Sequence, residues 1–304
     1  MSSKLYHNRF YAMGTRFHAL LPGLEEIRAE QIFYRIKMEV ERIEGKLSRF
    51  LPDSDLSKIN RMAAREAVGL DGEMTDILSA CQTCWNLTDG AFDTTLRPLM
   101  EYWKEDQKNK AEVFDSKKLM ENVGFDHLEF NESNRTITFD NDQIELDLGG
   151  FGKGYALEKV KDLLSDASVE QAFISFGESS ILAVGNHPAG DKWKIGMNNY
   201  AEPGNSVHEF RVNNGSVSTS SNFYLDDAGK LQNHRHVIDP KTGKPHEPFT
   251  SVSVSVESPV LAEMMSTAFL VSSDDKIKEV MNHYDNMEVI RVNYESGRAK
   301  ITQF

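Results

Sequence analysis

A glycine-rich segment at residues 147–154, Asp-Leu-Gly-Gly-Phe-Gly-Lys-Gly, is the part of the chain best suited to hold an anion. Alternating residues before it predict short strands at 136–140 and 143–147, and apolar spacing after it predicts an amphipathic helix at 155–164. Glycines let the backbone approach a ligand, and helix N–H groups can face a negative charge. Lys153 adds a point charge suited to phosphate. The spacing matches neither a P-loop nor G-x-G-x-x-G, so an ordinary tight turn explains it equally well.

Composition and charge limit the classes of partner. The chain has 304 residues, long enough for a sizeable core, and its 27% charged and 39% hydrophobic residues are ordinary for a globular protein. The net charge is −13 and no basic run offsets it, so we expect neither nucleic acid nor a membrane as partner. An anionic small molecule stays open, provided that its site is locally basic or holds a metal.

The two cysteines and the N-terminal sequence bear on location. Cys81 and Cys84 cannot complete a four-ligand zinc site. They lie in a segment of helical periodicity without the βαβ context of a redox motif, so packing is the favoured role. The N-terminus has no apolar signal region, and no segment approaches the roughly 18 consecutive apolar residues of a membrane span. We therefore expect a cytoplasmic protein.

The predicted elements indicate an α/β chain, an α+β mixture of helices and strands. Residues 8–21 predict a strand pair or a bent strand, interrupted at Gly14, and residues 24–47 predict a long amphipathic helix. Strand-like runs dominate the second half, with a helix expected from Pro259 to about Val271. No repeat or linker divides the chain, so we expect one compact domain over residues 1–304.

Five further segments carry polar and glycine residues that packing alone does not require. They are Ala-Met-Gly-Thr at 12–15, Ser-Arg-Phe with Asp-Ser-Asp-Leu-Ser-Lys-Ile-Asn within 48–60, Thr-Asp-Gly-Ala-Phe-Asp at 88–93, the His-Val-Ile-Asp-Pro-Lys-Thr-Gly-Lys-Pro run within 234–245, and Ala-Glu-Met-Met-Ser-Thr-Ala at 262–268. Each is weak alone. Together with the glycine-rich segment, in this order, they resemble the FAD:protein FMN transferases, the ApbE-like flavin transferase family, over roughly residues 8–275.

The resemblance implies a reaction, a cofactor and a partner. Members of that family cleave FAD, release AMP and attach FMN through a phosphoester to a threonine hydroxyl of a target protein. Breaking a diphosphate calls for Mg²⁺. The expected substrate is therefore FAD, the expected cofactor is Mg²⁺, and the expected partner is an acceptor flavoprotein bearing a threonine flavinylation site. Two alternatives stay open: an FAD diphosphatase that produces FMN and AMP, and a non-catalytic flavin-binding protein.

The resemblance also implies a metal site. The matching positions are the backbone carbonyl of Gly152 and the side chains of Glu263 and Thr267, with Glu263 also expected to be catalytic. All three offer oxygen, which a hard cation prefers, and Glu263 and Thr267 are four apart on one predicted helix face. The family usually has Asp in place of Glu263. Residues 177–181 and 219–221 also depart from its pattern.

Matching to the family assigns the remaining ligand contacts. The residues expected to bind FAD are Met13, Phe50, Ala91, Phe92, Asp93, Gly149, Lys153 and Tyr155. Phe50 and Met13 can contact a ring system, although core packing explains both equally well. Asp93 can accept hydrogen bonds from adenine or ribose.

His236 matches the family histidine that lies near the diphosphate. If charged it would stabilise phosphate, and if neutral it would accept the proton of the acceptor hydroxyl; the sequence does not decide between these roles. We set His234 aside because we expect a strand there to turn it to the opposite face. Asp239 is expected to order the following turn.

Overall fold

The computed structural model describes residues 5–109, 116–227, 229–234 and 237–304, without the side chains of 105–109, 116 and 117. The first half contains β1 (Leu5–Ala12), β2 (Thr15–Pro22), α1 (Glu26–Leu47), α2 (Asp55–Met62), β3 (Val68–Gly69), α3 (Gly72–Leu87), α4 (Arg97–Asn109), α5 (Ser116–Met120), β4 (Leu128–Asn131), β5 (Thr136–Phe139) and α6 (Gly152–Asp166).

The second half is richer in strands. It contains β6 (Ala172–Phe176), β7 (Ser180–Val184), β8 (Trp193–Asn198), β9 (Ser206–Val212), β10 (Gly215–Ser221), β11 (Phe223–Leu225), β12 (Leu231–Asn233), β13 (Ile238–Asp239), β14 (Lys244–Pro245), β15 (Phe249–Val256), α7 (Pro259–Val271), α8 (Asp274–Met281), β16 (Glu288–Glu295) and β17 (Arg298–Gln303).

An eight-stranded sheet in the order β1-β2-β6-β7-β10-β15-β16-β17 forms the centre of the fold. Every neighbouring pair in it is antiparallel. Helices α1, α6 and α7 pack on one face, where Val252 and Val254 join their core. The β8–β9 hairpin covers the other face, where Val217, Ile290 and Trp193 belong to a second buried cluster. The mixed helix-and-sheet class is therefore confirmed, whereas the single-domain organisation stays a prediction.

The first hairpin presents Met13 at its tip. β1 and β2 are joined by Met13 and Gly14 alone, and both have left-handed backbones, with φ of 46° and 73°. Two-residue hairpin loops favour this conformation because its twist matches that of the strands. The predicted strand pair interrupted at Gly14 is confirmed, and so is the long helix that follows it.

The strand expected at residues 143–147 is wrong. The backbone N–H and C=O of Leu146 both bond the side-chain amide of Asn60, each at 2.9 Å, and the Asp147 N–H donates to the Thr94 carbonyl at 2.8 Å. Because these backbone groups bond a side chain and a loop, the segment pairs with no strand. The following helix begins at Gly152, inside the glycine-rich segment.

No helix in the described ranges is long and apolar enough to cross a membrane.

Helices α6 and α7 cross at Gly154. A Cβ atom placed on Gly154 would lie 2.6 Å from the Glu263 Cβ and 2.7 Å from the Pro259 carbonyl oxygen. Both distances are too short for real contacts, so only glycine permits this approach. The crossing brings Lys153, the residue before Gly154, beside Glu263.

Gly154→Ala should therefore force the two helices apart. We expect a loss of about 1–3 kcal/mol in the free energy of unfolding, the usual cost of overpacking. Gly45→Ala is the matched control, because Gly45 lies within α1 and a Cβ there meets nothing within 4 Å. It should stabilise the protein by about 0.5–1 kcal/mol. Urea denaturation measures both changes, and equal stability of the two variants would contradict the packing described.

Candidate active site

A cavity of about 720 Å³ lies between the end of α1, the glycine-rich segment, β10 and α7. This volume is in the range of small-molecule sites. Most of the residues predicted to bind a ligand or metal line it: Met13, Phe50, Ala91, Phe92, Asp93, Gly149, Gly152, Lys153, Glu263 and Thr267. Residues far apart in the sequence therefore meet around one space, as the matched motifs predict.

The glycine-rich segment is anchored beside the cavity by Asp147. One oxygen of its carboxylate accepts the Gly149 N–H at 2.7 Å, and the other lies 2.8 Å from Nε of Arg49. Burial raises the pKa of Asp147. This ion pair fixes the loop to the end of α1, with Gly149, Gly152 and Lys153 facing the cavity at the start of α6. A helix N-terminus in this position favours negative charge.

Phe50 is a cavity residue with an open ring face. Its side chain is 77% exposed, which excludes core packing as the reason for an aromatic residue there. The Arg49 guanidinium carbon lies 4.0 Å from the ring centroid, a cation–π contact. Met13 is half-buried, and its N–H donates to Glu44 Oε1 at 2.8 Å. The rim can therefore offer an aromatic surface to a ligand.

The Asp93 carboxylate bonds Thr95 of its own loop and Trp85 of α3. Its Oδ1 accepts the N–H and hydroxyl of Thr95 at 2.7 and 2.6 Å, and its Oδ2 accepts Trp85 Nε1 at 3.1 Å. Burial raises the pKa of Asp93. These bonds hold Ala91 and Phe92 against the cavity, so Asp93 shapes the loop whether or not it also contacts a ligand.

The Glu263 carboxylate is the most enclosed charged group of the cavity, with the residue only 3% exposed. Lys153 Nζ donates to Oε1. Ser180 Oγ and Ser218 Oγ donate to Oε2 at 2.5 and 2.9 Å. A buried carboxylate requires such partners, because its desolvation is costly.

Sequence reasoning missed Ser180 and Ser218. A signal was present, because Ser180 lies in the 177–181 segment and Ser218 precedes the 219–221 segment, both of which depart from the family pattern. This chain has Glu263 where the family usually has Asp, and the hydroxyls of Ser180 and Ser218 hold the longer side chain.

Oxygen donors meet at the Glu263 end of the cavity. The Thr267 hydroxyl donates to the Glu263 carbonyl at 3.2 Å and lies 3.3 Å from a Cβ built on Gly150, so it contacts the glycine-rich segment. Within the described residues, no group of three or more His, Cys, Asp or Glu side chains could hold a metal. An ion here would use one carboxylate and neutral oxygens. This donor set fits Mg²⁺, which keeps several waters and binds through few carboxylates.

The charges of the cavity do not match an anionic ligand by themselves. Carboxylates of Glu44, Asp147 and Glu263 line it together with that of Asp93. The lining cations Arg49 and Lys153 are paired with Asp147 and Glu263. A diphosphate entering this space would therefore need additional positive charge.

The structure bears on only one of the two predictions made for His234 and His236. His236 lies outside the described residues. The reason for setting His234 aside is wrong, because residues two apart share a strand face and His234 follows the end of β12. His234 lines the cavity, its ring 4.8 Å from that of Tyr224, and burial lowers its pKa.

Tyr155 is not among the residues that line the cavity. Its hydroxyl donates to Glu73 Oε1 at 2.9 Å. Glu73 also accepts two hydrogen bonds from Arg42, at 2.7 and 2.8 Å, and Arg42 holds the pKa of Glu73 down at about 2. Tyr155 thereby ties α6 to α1 and α3, and its predicted contact with a cofactor stays a prediction.

The sequence profile of the ApbE family matches residues 13–291, so the chain belongs to the ApbE family. An FAD:protein FMN transferase of Chlamydia pneumoniae is 28% identical over 245 residues, covering 78% of this chain and 74% of the relative. One from Escherichia coli K12 is 26% identical over 300 residues, covering 95% and 84%. These relatives are transferases, and this chain is an enzyme of that class.

Solved structures agree with the family. The ApbE protein of Thermotoga maritima superposes with a TM-score of 0.82 at 25% identity, covering 99% of this chain and 97% of the other. The flavin transferase ApbE of Vibrio cholerae superposes with a TM-score of 0.83 over the same shares. At 21% identity, this second likeness shows the fold alone.

Tyr155→Phe tests the structural role of this tyrosine. Loss of the hydrogen bond to Glu73 should lower the free energy of unfolding by about 1 kcal/mol, a typical net contribution. Tyr34→Phe is the control, because Tyr34 is 63% exposed on α1, and it should change stability little. Thermal and urea denaturation measure both. A Tyr155→Phe variant as stable as Tyr34→Phe would show that the bond does not tie α6 in place.

Proposed function

We propose that this chain is an Mg²⁺-dependent FAD:protein FMN transferase. It cleaves FAD, attaches FMN through a phosphoester to a threonine of a target flavoprotein and releases AMP. The observation that carries the proposal is the lining of one cavity, which brings the exposed Phe50 ring together with the buried Glu263 carboxylate, Thr267 and the glycine-rich segment. The names of the relatives support the same activity.

The rim residues bind the aromatic parts of FAD. Phe50 offers an open ring face for stacking, and Met13 offers a polarizable side chain beside it. Ala91 and Phe92, held by the Asp93 loop, line the same space. These contacts orient FAD so that its diphosphate reaches the start of α6.

The residues around Glu263 handle the diphosphate. Gly152, through its carbonyl, with Glu263 and Thr267 would hold Mg²⁺, which when bound neutralises phosphate charge and aligns the leaving group. The N-terminus of α6 and the Lys153 ammonium bind phosphate oxygens. Because water is largely excluded around Glu263, these charges act more strongly than they would in solvent.

The transfer itself exchanges the phosphoanhydride bond of FAD for a phosphoester bond to threonine. The threonine hydroxyl oxygen attacks the phosphorus of the FMN phosphate, the bond from that phosphorus to the AMP oxygen breaks, and AMP leaves. The hydroxyl proton must go to a base. His236 is our candidate for that proton acceptor or, in its charged form, for stabilising the phosphate.

Two alternatives use the same cavity. An FAD diphosphatase would use water in place of threonine and release FMN and AMP. A non-catalytic flavin-binding protein is favoured by Glu263, since this residue replaces the family Asp and Lys153 already bonds it.

The deciding experiment is incubation of the protein with FAD and Mg²⁺, with and without an acceptor protein bearing a threonine site. We expect mass spectrometry to show FMN on the acceptor threonine and AMP in solution. Free FMN with an unmodified acceptor would favour the diphosphatase. Intact FAD in both reactions would favour the binding protein.

Two variants assign roles within that assay. Glu263→Gln should abolish transfer, because it removes the charge that the metal requires.

His236→Ala should lower the rate about 10²–10⁴-fold at unchanged FAD affinity, the usual range for general acid–base catalysis. His283→Ala is the control for His236, because His283 is exposed and does not line the cavity, and an equal loss in these two variants would contradict a specific role for His236.

Phe50→Ala tests the flavin position. Losing the exposed ring should weaken FAD binding by about 1–3 kcal/mol, the scale of burying and stacking an aromatic side chain. Leu51→Ala is the matched control, because Leu51 is the next residue and is 45% exposed. Fluorescence titration measures both affinities. Equal FAD binding in the two variants would place the flavin elsewhere.

A further inference from the structure

Lys153 and Glu263 meet through a contact that glycine makes possible. The close crossing of α6 and α7 at Gly154 brings the two side chains together although they are 110 residues apart in the sequence. Lys153 Nζ donates to Oε1 of the Glu263 carboxylate. A cation therefore already sits on the only carboxylate in the proposed metal-ligand set.

The two oxygens of the carboxylate are held in different ways. Oε2 accepts from Ser180 and Ser218, which are short side chains on β7 and β10 of the central sheet. Oε1 accepts from Lys153, whose long side chain is 23% exposed and lines the cavity. Movement of Lys153 into the cavity would free Oε1 while the two serines keep the carboxylate in place.

We propose that Lys153 is a displaceable counter-ion. It neutralises Glu263 when no metal is bound, competes with the metal for Oε1, and on displacement moves to a phosphate of the ligand. This proposal rests on the metal site of the proposed function. Metal binding and phosphate binding are then coupled, because the metal displaces Lys153 from Glu263 and the freed ammonium binds the phosphate.

The charge distribution of the cavity supports this exchange. Arg49 is held by Asp147 at 2.8 Å, and that pair anchors the glycine-rich segment. Displacing Arg49 would loosen the loop, whereas displacing Lys153 leaves Glu263 bonded by two hydroxyls. Lysine suits such a role because its ammonium is a compact charge on a flexible stem.

Metal binding without FAD tests the competition. Mn²⁺, followed by electron paramagnetic resonance, replaces Mg²⁺ as the probe. Lys153→Met and Lys153→Gln should each bind Mn²⁺ about tenfold more tightly than the wild type, corresponding to 1.4 kcal/mol. Lys153→Arg keeps the charge and should bind Mn²⁺ as the wild type does. Lys161→Met is the control on the same helix, since Lys161 pairs with Glu158 and Glu257.

FAD titrations test the second position of Lys153. With EDTA present, Lys153→Met should bind FAD as tightly as the wild type, because Lys153 is then held by Glu263. With Mg²⁺ present, the same variant should bind FAD about tenfold more weakly. The opposite signs of the two effects, tighter Mn²⁺ and weaker FAD, distinguish a displaceable counter-ion from a lysine with a purely structural role.

Several results would overturn the proposal. They are unchanged or weaker Mn²⁺ binding in both neutral variants, no Mn²⁺ binding in any variant, or an equal loss of FAD affinity with EDTA and with Mg²⁺. Circular dichroism checks folding, and Lys153→Gln stands in if Lys153→Met fails to fold. The outcome is separate from the proposed function, because a protein that binds FAD without transferring FMN would still show the Mn²⁺ and FAD effects.

Discussion

A carboxylate enclosed between two helices and a sheet is the constraint that organises this molecule. Glu263 is almost without solvent contact, so its charge must be matched by protein groups. Lys153 of α6 supplies a cation, and Ser180 of β7 with Ser218 of β10 supplies hydroxyls. Gly154 allows the helices to approach closely enough for these bonds to form. Three layers of structure therefore converge on one functional side chain.

The cavity combines two kinds of chemistry in one lining. Phe50 offers an exposed aromatic ring, and the same lining holds carboxylate and hydroxyl oxygens with a helix N-terminus. A ligand that joins aromatic rings through a diphosphate matches this combination. The lining carboxylates also explain why a protein with a net charge of −13 needs cations inside its site to hold such a ligand.

A second charged network is centred on Glu73, which does not line the cavity. Glu73 of α3 accepts from Arg42 of α1 and from the Tyr155 hydroxyl of α6, and Lys46 lies 3.6 Å from it. These bonds fix the direction of α6, whose first turn lines the cavity. Matching to family motifs predicts a ligand contact for Tyr155, and in the structure its hydroxyl bonds Glu73 and so ties the helices together.

Local features were predictable because they depend on neighbouring residues. The Met13–Gly14 turn, helix α1 and helix α7, which begins at Pro259 after its Ser258 cap, all follow from short patterns. The motifs whose residues line the cavity were also recognisable in the sequence. Tertiary structure alone decided that 143–147 is not a strand, that Phe50 is exposed, and that Lys153 pairs with Glu263. The reason is physical, since each depends on contacts between segments that lie far apart in sequence, such as Asn60 with Leu146.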